Sequence, residues 1–79
     1  MIKLKNIEKN NHIISCNILP EDSQQEGRLL VDLNSEKEYE YKLPEGYEWC
    51  KNHVAHAIKF LLSVSRDKEI PNEKLIMWN

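Results

Sequence analysis

The stretch EWCKNHVAHAIKF, residues 48–60, spaces Cys50, His53 and His56 three residues apart and flanks them with Trp49 and Phe60. Three chemistries use these residue types. A thiolate and an imidazole one helical turn apart can chelate a Zn²⁺ ion. A cysteine beside a histidine can act as nucleophile and base. Aromatic rings in a stripe can anchor a protein partner, because each buries a large area at little cost in rotamer freedom.

Helical geometry separates the three. At ~100° per residue, Trp49, His53, His56 and Phe60 fall within about 60° of one another, whereas Cys50 lies roughly 100° from Trp49, on an apolar arc with Ala57 and Leu61. Cys50, His53 and His56 therefore spread over about 120° and do not converge on one ion from a regular helix. A further ligand would have to come from elsewhere, and Cys16 and His12 are the candidates. Neither C-x2-C nor H-E-x-x-H occurs. A thiol on the apolar arc also lacks the exposed, electropositive setting that activates a nucleophile.

The stripe Trp49, His53, His56 and Phe60 reads first as a half-buried helix margin that covers the rim of a sheet. Its functional reading, and the interaction site expected here, is an open surface that receives a partner, with two imidazoles that would sense pH between about 5 and 8. A metal or thiol site around Cys50, His53 and His56 is the runner-up. No catalytic constellation or cofactor motif is present in the sequence, so the expectation leans away from an enzyme and names no cofactor.

Composition narrows the partners. The 79 residues, 41% hydrophobic and 30% charged, have the balance of one small folded domain spanning 1–79. Thirteen acidic and eleven basic residues are interspersed for a net charge of -2, and only Arg28 and Arg66 offer guanidinium forks. Nucleic acid is accordingly not expected as a partner. No stretch approaches the ~18 apolar residues of a membrane span, and the opening MIKLKNIEKNN has no apolar run of signal-peptide length. A cytoplasmic protein with reduced cysteines, binding a protein or a second copy of itself, is the expectation. Abundant Lys, Asn, Ile and Glu with scarce Arg, Gly and Ala suit an AT-rich coding sequence of the kind low-GC bacteria carry.

The elements that must position the stripe follow from periodicity. IKLKNIE alternates at Ile2 and Leu4 and loses phase at Ile7, and HIISCNIL alternates at Ile14, Cys16 and Ile18. Pairing Ile2 with Ile18 and Leu4 with Cys16 leaves a three-residue turn; a two-residue turn would set Ile7 against Ile14. RLLVDL places Leu29, Val31 and Leu33 on one face, and EYEYKL places Tyr39, Tyr41 and Leu43 inward, with Leu33 opposite Tyr39 and Leu29 opposite Leu43. The acidic run Glu36, Glu38, Glu40, with Lys37 and Lys42 interspersed, reads as a solvated face.

PEGYE then breaks the strand, and a helix from Tyr47 to about Arg66 follows, with Glu45 and Glu48 near its start and Arg66 and Lys68 at its end. A helix of roughly 30 Å carries the chain back across the sheet, so that the apolar LIMWN forms a short strand antiparallel to the first. The expected fold is α+β: an antiparallel sheet of four or five strands with one long amphipathic helix on one face. The terminal strand, if open at its edge, is a site for self-association.

Overall fold

The computed structural model describes residues 1–35 and 38–78. Glu36, Lys37 and Asn79, which belong to the expected acidic face and terminal strand, lie outside the described residues. The chain runs β1 (Ile2–Asn10), β2 (Ile13–Pro20), β3 (Gly27–Asp32), β4 (Tyr39–Lys42), α1 (Lys51–Val64) and β5 (Lys74–Ile76). It is an α+β fold, a five-stranded antiparallel sheet of order β4-β3-β2-β1-β5 with the helix on one face. No helix among the described residues is long and apolar enough to cross a membrane.

The alternating residues make the core. Ile2, Leu4, Ile14, Cys16, Ile18, Leu29 and Val31 are wholly buried on the helix side. They meet Cys50, Val54, Ala57, Leu61 and Val64 in one apolar cluster. The loss of phase at Ile7 has a backbone cause. Between Lys5 and Glu8 the β1–β2 register slips, and Asn6 takes a positive φ of 54°. This bulge turns Ile7 back into the core, where it is 6% exposed. The expected pairing is corrected accordingly: Ile2 faces Pro20, Leu4 faces Ile18, and the turn is the two residues between Asn10 and Ile13, with Asn11 at φ 59°.

The second hairpin is also shifted. Leu29 faces Tyr41 and Val31 faces Tyr39, two residues away from the pairing that alternation suggests. Alternation cannot distinguish registers two residues apart, because both keep the same faces inward. Tyr39 and Tyr41 do lie on the helix side, bordering a groove of about 320 Å³ with Val54, Ala55 and Ile58. They are nevertheless exposed, not core, since the helix packs over β1 and β3 and stops short of the edge strand.

The helix is shorter than expected, 14 residues or roughly 21 Å. Two successive tight turns, Tyr47 N–H to Pro44 O and Cys50 N–H to Tyr47 O, occupy the chain before Lys51. Neither end carries the expected dipole complement: the first turn has no acidic residue, the last turn no basic one, and Cys50 provides no side-chain cap. A residue from the sheet substitutes at the C-terminus, where Lys9 Nζ donates to Ser65 O at 3.3 Å. Tertiary packing rather than end chemistry therefore holds α1. The chain returns through a bond from Ile7 N–H to Asn72 O at 3.0 Å, and β5 lies antiparallel to β1 with Ile2 opposite Ile76.

Candidate functional site

The stripe on α1 is met by the chain's own C-terminus. Past β5, Trp78 folds over the helix, stacking on His56 at 4.0 Å between ring centroids and meeting His53 edge-on at 4.9 Å. Lys74 Nζ stands 5.8 Å from the Phe60 ring centre. His53 is consequently buried, while His56 and Phe60 are half-buried. Trp49 alone stays open, 65% exposed. Its indole N–H donates to Gly46 O at 3.2 Å, and its ring contacts His53 edge-on at 5.6 Å and stacks beside Tyr47 at 6.4 Å.

His53 is the hub of this cluster. Its Nε2 lies 2.8 Å from Glu21 Oε1, and the same oxygen accepts from the N-terminal ammonium at 3.4 Å. The tautomer that satisfies the contact carries its proton on Nε2, which leaves Nδ1 as a buried acceptor without a partner among the described residues. Next to it, the Tyr47 hydroxyl donates to Asp22 Oδ1 at 2.7 Å, and that bond raises the Tyr47 phenol pKa. Glu21, Asp22, Tyr47 and Trp78 were not foreseen as members. The apolar LIMWN hinted that Trp78 must pack somewhere, but nothing in the sequence pairs Glu21 with a histidine 32 positions away.

The hydrogen bond from His53 holds the Glu21 carboxyl below its ordinary value, against partial desolvation and with help from the N-terminal ammonium. A carboxylate whose pKa is depressed on folding contributes stability above the ordinary carboxyl value and loses it as pH falls through the lowered one. The wild type is therefore expected to melt above Glu21→Gln at pH 7 and to converge on it between about pH 5 and pH 3. Thermal melts at both pH values check this, and an offset that does not change with pH would refute the linkage.

The thiols sit apart from this chemistry. Cys16 and Cys50 are both free and wholly buried. Burial pushes the Cys16 thiol up to about 12 against the opposing pull of Arg28, and burial, then the Glu21 charge, raises that of Cys50. A nucleophile needs the reverse. His12 is exposed in the β1–β2 turn, and no three His, Cys, Asp or Glu side chains among the described residues are grouped to hold a metal ion. These placements lend no support to the metal or thiol reading around Cys50, His53 and His56.

Fold and cluster together define a small antiparallel α+β protein whose aromatic stripe is largely engaged within the chain and whose outermost strands, β4 and β5, each pair with a strand on one side only among the described residues. Comparison with family models, with curated proteins and with solved structures finds no match for this chain.

Proposed function

We propose that the chain is a small cytoplasmic protein-interaction or regulatory module that engages a protein partner through the free edges of its sheet. The observation that carries this reading is the placement of large apolar side chains at both outermost strands. Tyr39 and Tyr41 on β4 are 49% and 37% exposed, and Leu75 on β5 and Met77 just beyond it are 50% and 70% exposed. Single exposed apolar residues are ordinary, but pairs of them beside unpaired backbone suit partners that add a strand. Trp49 adds an exposed ring at the start of α1, the part of the expected stripe left uncovered. Two buried, unbridged cysteines accord with a reducing compartment.

Photo-crosslinking in cells tests the reading. A photoreactive residue at Tyr39, Leu75 or Trp49 is expected to yield discrete protein adducts, and one at Lys59, on the exposed face of α1, is not. Adduct patterns indistinguishable from those of Lys59 at all three positions would overturn it.

A further inference from the structure

Resting on that interaction reading, we propose that β4 pairs with β4 of a second copy of this chain, in one register, to form a continuous ten-stranded antiparallel sheet.

The backbone supplies the first reason. Asp32 N–H donates to Glu38 O at 3.0 Å, in the register that continues through Leu30 opposite Glu40 and Arg28 opposite Lys42. Antiparallel strands alternate the direction of their backbone groups, so Glu38, Glu40 and Lys42 aim theirs at β3. Tyr39 and Tyr41 therefore aim their N–H and C=O groups outward, where no described residue pairs with them.

Charge then selects the register. Two copies joined edge to edge about an axis perpendicular to the sheet keep the same face up, so each residue can oppose only residues of its own parity. With Tyr41 on the axis, Tyr41 opposes Tyr41, Tyr39 opposes Leu43, and Glu40 opposes Lys42 twice. The outward backbone groups of Tyr39 and Tyr41 fall at hydrogen-bonded pairs, and Glu40 and Lys42 fall at the closer non-hydrogen-bonded pairs. A shift of two residues in one direction opposes Glu38 with Lys42 twice but sets Glu40 against Glu40, and in the other direction it sets Lys42 against Lys42. Of these three registers only the one centred on Tyr41 is therefore free of a like-charge pair. Neither Glu40 nor Lys42 has an ion-pair partner among the described residues, so both are available.

The other edge offers no equivalent. Glu73 and Lys74 point to opposite faces, and no two-fold register of β5 opposes them. On the helix side the β4 pairing would cover the exposed rings of Tyr39 and Tyr41. With each helix above the middle of its own sheet, the two helices stand roughly 24 Å apart and do not collide. A four-residue edge is a small interface, so the dimer is weak and reversible.

Sedimentation equilibrium over about 5 µM to 1 mM, a range wide enough to populate a weak dimer, tests the pairing. The mass is expected to rise from 9.4 kDa toward twice that value. Glu40→Lys alone and Lys42→Glu alone each create two like-charge pairs and should remain monomeric throughout. An equimolar mixture of the two should dimerise again, as should the double swap, because opposite charges then face each other in the same register. Circular dichroism confirms that each variant is folded. A wild type that stays monomeric at 1 mM overturns the proposal, as does a dimer that ignores both single reversals or a mixture that fails to recover. Crosslinks from Tyr39 to a different protein alongside a monomeric wild type would overturn only the self-pairing, whereas the absence of any edge crosslink would remove the interaction reading as well.

Discussion

Leu61→Ala is expected to destabilise the protein by about 3 kcal/mol, lowering the urea midpoint with little change in slope. Leu61 is wholly buried on the face of α1 that also carries Val54, Ala57 and Val64, and it belongs to the cluster with Leu4, Ile14, Ile18 and Leu29. Truncation removes three heavy atoms from that cluster and leaves a cavity which the sheet beneath, tied by its ladders, cannot fill. The consequence is large because α1 has no N-terminal capping side chain and no charges of its own suited to its dipole. A chain of 79 residues has about 4–12 kcal/mol of stability in total, so one side chain represents a substantial share. Lys59→Ala on the exposed face should stay within about 0.5 kcal/mol. A Leu61→Ala loss below about 1 kcal/mol would mean that the helix is held by something other than this seam.

The second large effect is expected at Gly27→Ala, again about 3 kcal/mol. Gly27 opens β3 opposite Ile18, and an added Cβ there would run into the carbonyl oxygen of Lys42. It would also stand 3.0 Å from Pro44 Cδ and 3.1 Å from Ile18 Cγ1. A flexible side chain could yield, but a backbone carbonyl can move only by displacing β4 from β3. Gly46→Ala provides the contrast. Gly46 has a φ of 89°, and a Cβ added there would meet no atom within 4 Å, so its cost is confined to backbone strain, about 1–2 kcal/mol. Chemical denaturation orders the two variants. Amide exchange should locate the Gly27→Ala damage in β3 and β4, and equal losses spread over the whole sheet would contradict that cause.

Much of the fold was legible because the relevant signal is local. Period-two alternation from Ile14 to Ile18 and from Leu29 to Leu33 marks which faces turn inward, whatever the neighbouring strand does. The arc of Cys50, Val54, Ala57, Ile58, Leu61, Val64 and Ser65 likewise requires only the helical repeat; five of the seven are buried, and Ile58 and Ser65 are half-buried at its margin. A meander closed by a terminal strand beside β1 follows from short connections and one returning helix.

Registers were not legible, because they depend on hydrogen bonds between strands. The loss of alternation at Ile7 marks a break, but that Asn6, at φ 54°, shifts half of β1 by one residue shows only in its pairing with β2. Tyr39 and Tyr41 have the alternation of core residues yet lie beyond the helix, since burial depends on which element reaches over them.

The stripe divides in the same way. Sequence by itself determined that Trp49, His53, His56 and Phe60 share one side of α1, because ~100° per residue leaves them no choice. Tertiary structure alone decided that Trp78 stacks on His56, that Glu21 reaches His53, and that Trp49 remains open. Those contacts join residues 22 to 32 positions apart, and such encounters are set by the path of the whole chain rather than by any stretch within it.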